Sequence, residues 1–418
     1  MAETTGQLPT GPSAFLKLPN ELIHQVAGKL PDKSLGNLRV ANKFLRDITL
    51  EVWKKRALQD KDGSSALDWA AQKNKHTLID YLFSIFPGIE INTARGGGHK
   101  NPLCIACSLG MNEAAAALIR HGADINYVPG ASSALMQAVY GGHYTIVQMV
   151  LQQNADPHVL EFGNSNIIQV AARDDNVPTL RVILNRMRAY PELMPGIDDV
   201  TMEGYTALHL ASEVGAASAA KLLLEFGADV DPVCGGDRFE TPLARAVRIL
   251  PFGRVAMAAL LLSWGANIDG RTDESWTTLK FDTPLHSAVR TELADKYELV
   301  SLLISHGAAL NALDHLGSTI MHSALTREDL DMISLIIARG GNINMVDGGG
   351  SSAFHLFASW RATQRTYETV TFFKQNGADI FLLNNAGMTP RDCALRSGWS
   401  RGLIEATWGG GVTFRGVF

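Results

Sequence analysis

Residues 206–231 read TALHLASEVGAASAAKLLLEFGADVD. Thr206 stands where a helix N-cap is needed, and its hydroxyl can satisfy an orphan N–H for ~0.5–2 kcal/mol. Leu208 points into an apolar interior, and Ala211 is small enough to let paired helices approach closely. The apolar run before Gly227 reads as a second helix. Gly227 then falls at the position after the cap, where a left-handed conformation is required.

The same tetrapeptide recurs along the chain. It reads SALD at 65–68, NPLC at 101–104, SALM at 133–136, NIIQ at 166–169 and TALH at 206–209. It continues as TPLA at 241–244, TPLH at 283–286, TIMH at 319–322, SAFH at 352–355 and TPRD at 389–392. Successive starts lie 36, 32, 33, 40, 35, 42, 36, 33 and 37 residues apart. Ala follows two positions after nine of the ten, and the exception is Phe357. A second motif trails most of them: HGADIN at 121–126, QNADPH at 153–158, FGADVD at 226–231, WGANID at 264–269, HGAALN at 306–311, RGGNIN at 339–344 and NGADIF at 376–381. Pro beside the opening Thr suits the first helical position, where its missing N–H costs nothing.

This double pattern resembles the ankyrin repeat over residues 63–411, in about ten units. The resemblance implies an all-α solenoid with β-hairpin fingers. One unit cannot bury its apolar face alone, so stacking supplies the core. At about 8–10 Å between helices, ten units predict a curved rod roughly 80–100 Å long, its concave face lined by fingers and first helices.

Departures from the pattern carry information too. The fourth unit has lost the tetrapeptide and runs into MRAYPELMPG without a GAD, which predicts a weak link. The last unit ends in TWGGGVTFRGVF and is expected to cap the array. Extra residues accumulate at 248–254 and 359–368, between helices, and at 270–282, in a finger. Insertions in repeat proteins map to loops, often on the binding face.

Residues 1–13 are polar and rich in Gly, Pro and Thr, the composition of a disordered tail. A different module follows at 14–58. Leu18, Leu22, Val26 and Leu30 recur every four residues and predict one apolar stripe. Pro31 ends that helix, Asp32 can cap a second with Leu35, Leu38, Leu45 and Ile48, and Val52 and Trp53 follow. Three helices of this size bury too little surface for comfortable independence, which implies a partner or docking onto the array. The Leu18-Pro19-x-Glu21-Leu22 opening, the Leu30-Pro31 break, the Asn42-Lys43-Phe44-Leu45 stretch and the closing Trp53 resemble an F-box. That resemblance implies docking to the Skp adaptor of a Skp–cullin–F-box ubiquitin ligase. The expected adaptor contacts are Leu18, Pro19, Leu22, Ile23, Val26, Leu30, Leu35 and Leu38.

Composition bounds the rest. The chain has 418 residues, 46% apolar and 19% charged, with a formal charge of −5. That charge gives no global pull on nucleic acid or anionic membrane. No apolar run is long enough for a spanning helix. Four cysteines are too few for a disulfide framework, which predicts a reducing compartment, cytoplasm or nucleus. No cofactor or metal is expected, and no enzyme signature is found. His209, His286, His322 and His355 fall one per repeat and read as intra-repeat or next-repeat hydrogen-bonding groups rather than metal ligands. Cys104 and Cys107 lack a second CxxC and read as small packed thiols. Gly96–Gly98 and Gly348–Gly350 lack phosphate-loop spacing and read as finger turns. The basic cluster Trp53–Arg56 reads as a solvated helix end.

For target binding the insertions are the candidates: Arg271, Asp273, Trp276 and Phe281 in the long finger, and Trp360, Arg361, Arg365 and Tyr367 between helices. Trp, Tyr and Arg are enriched at binding hot spots. The competing reading is that Trp276 and Trp360 pack their own loops. The leading expectation is a substrate-recognition subunit whose repeat array holds a target protein. The rival is an ankyrin scaffold or transcriptional co-regulator that acts by protein binding without ubiquitin.

Overall fold

The computed structural model describes residues 66–85, 89–92, 101–128, 132–160, 164–232, 240–249, 253–270, 282–314, 316–363 and 365–409. The F-box-like module at 14–58 and the Gly96–Gly98 run lie outside the described residues. Among the described residues, twenty α-helices form ten consecutive pairs. They are α1 (Ala66–Gln72) with α2 (His76–Ile85), α3 (Pro102–Ser108) with α4 (Asn112–Arg120), and α5 (Ala134–Tyr140) with α6 (Tyr144–Gln152). Next come α7 (Ile167–Arg173) with α8 (Val177–Ala189), α9 (Ala207–Val214) with α10 (Ala217–Glu225), and α11 (Pro242–Ile249) with α12 (Arg254–Ser263). The last four pairs are α13 (Pro284–Arg290) with α14 (Lys296–Ser305), α15 (Ile320–Leu325) with α16 (Leu330–Ala338), α17 (Ala353–Ala358) with α18 (Thr366–Gln375), and α19 (Pro390–Arg396) with α20 (Arg401–Trp408).

Each first helix starts where the tetrapeptide puts it. The side chains of Asn101, Ser133, Thr206, Thr283 and Thr389 accept from the backbone N–H three residues on. Second helices end in the same way from repeat to repeat. Gly122 donates to the carbonyl of Ile119, and Ala123 donates to that of Leu118. Gly227 with Ala228, Gly265 with Ala266, Gly307 with Ala308, and Gly377 with Ala378 repeat this double bond. Those glycines hold φ between 81° and 91°, and Asn154 takes the role in the third unit at φ 61°. The recurring Gly-Ala is thus a helix stop with an alanine behind it that is buried at Ala123, Ala266 and Ala308 and half-buried at Ala228 and Ala378.

The chain divides into two compact units within the fourth pair, residues 1–167 with 185–195 and residues 168–184 with 196–418. In the first unit α1, α3 and α5 stack on one another, as do α2, α4 and α6. In the second, α9, α11, α13, α15, α17 and α19 form one row of first helices. Ala70, Ala106, Ala138, Ala171, Ala211, Ala246, Ala288, Ala324 and Ala394 are fully buried, at the close approach predicted for them. Phe357, the exception, anchors an aromatic cluster instead. Its ring meets Phe373, Trp360 and Trp399, and Phe354 stacks on Phe373 and Trp408. This cluster fills the last two pairs.

Four described fingers turn identically, at 201–205, 314–318, 347–351 and 384–388. The first residue donates to the carbonyl of the fifth, and the glycine at the fourth donates back to the first. Asp314, Asp347 and Asn384 also accept from two backbone N–H groups of their own turns. Neighbouring fingers are laced by Gly348 N–H to the Gly317 carbonyl at 2.9 Å and Asn385 N–H to the Gly349 carbonyl at 3.2 Å. Regular β pairing among the described residues is confined to an isolated bridge between Val346 and Ser352.

Candidate binding surfaces

The repeat histidines link each helix start to the next finger. His209 Nδ1 accepts from the Thr206 N–H at 3.2 Å, and its Nε2 donates to the Glu240 carbonyl at 2.8 Å. His322 reaches the Ser351 carbonyl at 2.9 Å, and His355 reaches those of Leu382 and Met388 at 3.0 Å. His286 shares the cap with Thr283. An N–H donor at Nδ1 and a carbonyl at Nε2 together require the neutral Nε2–H tautomer. Burial therefore pulls all four below the ordinary imidazole value, His209 to about 4. Both ring nitrogens of His209, His322 and His355 are occupied, so none offers a lone pair to a metal. Among the described residues no cluster of His, Cys, Asp and Glu could hold a metal ion.

In the fourth unit Gln169 stands in the histidine's place. Its Nε2 donates to the Asp199 carbonyl at 2.6 Å and the Tyr205 carbonyl at 3.4 Å. The link that sequence reading takes as lost is thus kept by an amide. Cys104, Cys107 and Cys393 are buried thiols, and burial raises the Cys107 thiol far above its usual range.

A second register was missed in the sequence. The residue closing five of the seven GADIN-type motifs accepts from the backbone N–H of the fourth residue of the next motif. Asn126 takes Asp156, Asp231 takes Asn267, Asp269 takes Ala309, Asn311 takes Asn342 and Asn344 takes Asp379, at 2.7–3.4 Å. The recurring Asn or Asp at that position was the available signal. These bonds fix the spacing of the fingers and so of anything the fingers present.

Charged side chains of the second unit's first helices are mostly consumed internally. Arg245 holds Glu213 at 2.6 Å and Glu240 at 3.4 Å, and its guanidinium lies 3.9 Å from the Tyr205 ring centroid. Arg248 pairs with Glu240 at 2.6 Å. Arg290 bridges Asp282 and buried Asp314, Arg254 pairs with Asp295, and Arg327 with Glu292.

The predicted target residues divide three ways. Arg271, Asp273, Trp276 and Phe281 lie outside the described residues. Trp360 is half-buried, its ring set edge-on to Phe357 and its carbonyl accepting from Trp399 Nε1 at 2.7 Å. That is the loop-packing role. Arg361 and Arg365 are exposed on the same segment, and Tyr367, expected between helices, lies instead in the first turn of α18, 55% exposed. Other large apolar side chains stand out from finger tips, among them Met202, Leu316, Phe381 and Leu383.

Comparison with known proteins agrees with this geometry. A family model described as ankyrin repeats (3 copies) matches residues 69–161, 135–234 and 168–272. Another, described as ankyrin repeats (many copies), matches 285–337. Among relatives, the potassium channel AKT2/3 of Arabidopsis thaliana is 29% identical over 172 residues, 40% of this chain and 20% of its own length. The probable E3 ubiquitin-protein ligase XBOS32 of Oryza sativa subsp. japonica is 28% identical over 159 residues, 32% of each chain. The E3 ubiquitin-protein ligase XBAT33 of Arabidopsis thaliana is 27% identical over 161 residues, 33% of this chain and 31% of its own. The chain therefore spans no more than about a third of the length of these relatives. A solved structure of the ankyrin repeat domain of Bcl-3, a member of the IkappaB protein family, is 26% identical with a TM-score of 0.48. The match covers 58% of this chain and 97% of that one. With family matches over more than half of its residues and ten consecutive helix pairs at the repeat's spacing, the chain belongs to the ankyrin-repeat family.

Proposed function

We propose that this protein is the substrate-recognition subunit of a Skp–cullin–F-box ubiquitin ligase. Ankyrin repeats bind protein partners, and that part of the reading rests on the family itself. The observation that carries the finer reading is the F-box-like order of residues 14–58 ahead of the repeats. In this reading Leu18, Pro19, Leu22, Ile23, Val26, Leu30, Leu35 and Leu38 grip the Skp adaptor, and the array holds the target. Two relatives named as E3 ubiquitin-protein ligases support the coupling of such repeats to ubiquitin transfer. In this reading the chain acts without a catalytic group of its own. Its contribution is proximity, raising the local concentration of target lysines beside the charged ubiquitin. The residues between α17 and α18, through Arg361 and Arg365, and Tyr367 at the start of α18 are proposed as part of the target surface. The deciding experiment is co-purification of a Skp adaptor with the full chain and with the Leu18→Ala plus Pro19→Ala variant. Recovery by the parent chain alone is expected. Equal recovery by both, or by neither, overturns the reading.

A further inference from the structure

The chain's 14 lysines and 23 arginines are unevenly placed. Ten of the lysines lie within residues 1–100, beside four arginines. Residues 101–418 hold four lysines and nineteen arginines. A chain-wide preference for one cation would bias both segments alike, so the inversion belongs to the repeats.

Some of these arginines are needed as arginines. Arg245 and Arg290 each meet two carboxylates, and Arg254 spreads over Asp295 and Thr291, a geometry that an ammonium does not reproduce. Arg181, Arg188, Arg339, Arg361, Arg365 and Arg396 are different. They are exposed, and none has an ion pair among the described residues. At such positions lysine supplies the same charge, and within α8 and α19 it supports a helix as well as arginine does. What lysine would add is a primary amine, the group to which ubiquitin is joined. A guanidinium stays protonated and is not an acceptor.

The lysines that remain in the repeats are few and mostly engaged. Lys296 is half-buried, paired with Asp329 and set over the Tyr297 ring. Lys374 donates to the Thr407 carbonyl at 3.1 Å. Lys221, 62% exposed, lies 4.0 Å from Glu225, and Lys280 lies outside the described residues. By contrast Lys73 and Lys75, in the turn between α1 and α2, are exposed with no ion pair among the described residues.

We propose that ubiquitin carried to this chain is joined to its own first 100 residues, with Lys73 and Lys75 as acceptors, and that arginine keeps the repeats beyond residue 100 refractory by standing where lysine would serve. This rests on the ubiquitin-ligase reading above. It adds a self-modification site, and a reason why a receptor held beside charged ubiquitin is spared along its target-binding length. In the step itself the Lys73 or Lys75 ammonium yields a proton to solvent, and the amine attacks the carbonyl carbon of the thioester that holds ubiquitin's C-terminus on a conjugating enzyme. An isopeptide C–N bond forms, the C–S bond breaks, and the second proton leaves with the enzyme's thiol.

The test gives the full chain a lysine-free N-terminal epitope tag and recruits to it a RING ligase domain fused to a binder of that tag. Ubiquitin, its activating enzyme and a conjugating enzyme are supplied, and diglycine remnants are mapped by mass spectrometry. The comparison variant carries Arg181→Lys, Arg188→Lys, Arg339→Lys and Arg396→Lys, and its thermal transition is checked by circular dichroism. Arg396→Lys alone takes its place if that transition is lost. Remnants are expected at Lys73 and Lys75, and those beyond residue 100 should be at least about fivefold more abundant in the variant than in the parent. No gain beyond residue 100 in the folded variant overturns the proposal. So does a parent modified as heavily beyond residue 100 as before it, or one bare at Lys73 and Lys75. The recruited ligase needs no Skp adaptor, so loss of adaptor co-purification leaves this pattern standing, and loss of this pattern leaves adaptor docking standing.

Discussion

His209 Nε2 donates to the carbonyl of Glu240 across 31 residues, while its Nδ1 accepts from the Thr206 backbone N–H three residues back. One imidazole therefore caps its own helix and holds the next finger, and it can do both only when neutral. A protonated ring would turn its Nδ1–H against the N–H of Thr206.

This makes stability depend on pH with a definite sign. The folded His209 has a value of about 4 and the unfolded one about 6.5. Between those limits the unfolded chain binds the proton and the folded chain does not, so stability rises with pH. The contribution is complete above about pH 6.5 and is lost as pH falls towards about 4, on the order of 3 kcal/mol for this residue. His286, His322 and His355 shift in the same direction. Asp198 and Asp231 are raised by burial and oppose the trend near the acid end. Urea midpoints measured from pH 7 to pH 4 are expected to fall steadily. The His209→Gln variant, which copies the amide of Gln169, should show a shallower fall. An identical slope in parent and variant would remove His209 from the account.

Helix positions were legible in the sequence because the chemistry that sets them is local. Thr206 finds its acceptor's partner three residues away, and Gly227 stops its helix within one turn. The ladder from Asn126 to Asp156, or from Asn344 to Asp379, spans about one repeat, and its donor is a backbone group that no side-chain pattern reveals. The same holds for Trp360. Its aromatic character marked it as a contact residue, but its partners are Phe357 beside it and Trp399 one repeat on. Arg245 and Arg290 hold carboxylates while Arg361 and Arg365 hold none among the described residues, a difference the sequence alone does not report.

Replacing Phe357 with alanine would restore the residue found in the nine other repeats. The expected result is nonetheless destabilisation by about 3 kcal/mol, because the ring fills space among Phe373, Trp360 and Trp399 that no neighbour can reclaim. Urea unfolding followed by tryptophan fluorescence reads the change. A neutral or stabilising outcome would mean that the aromatic cluster does not depend on its central ring.

Arg245 is nearly buried, with a side chain 7% exposed, and Glu213 is 34% exposed. Removing the arginine takes the guanidinium from Glu213, leaves Glu240, itself 10% exposed, with Arg248 as its ion-pair partner, and uncovers Tyr205. Arg245→Ala should cost about 2–4 kcal/mol, and Glu213→Ala no more than about 1 kcal/mol because solvent screens that partner. Arg245→Lys should recover little, since an ammonium cannot span two carboxylates and stack on a ring. Equal costs for Arg245→Ala and Glu213→Ala in chemical denaturation would contradict this division.

Within the triglycine finger the three positions are not equivalent. Gly350 holds φ +73°, and a Cβ there would collide with Asn385 Oδ1 and lie 2.9 Å from its backbone nitrogen. That nitrogen donates to the Gly349 carbonyl, so the added methyl would push apart the bond that joins two fingers. Gly348 is not left-handed, and a Cβ there meets nothing closer than Gly317 Cα at 3.9 Å. Alanine at 348 also keeps the N–H that donates to the Gly317 carbonyl. Gly350→Ala is therefore expected to destabilise by about 1–3 kcal/mol through strain and lost lacing. Gly348→Ala should stay within about 0.5 kcal/mol of the parent. Hydrogen exchange at the Asn385 amide separates the two, rising in Gly350→Ala and unchanged in Gly348→Ala. The reverse order would show that the fingers are held by something other than this backbone contact.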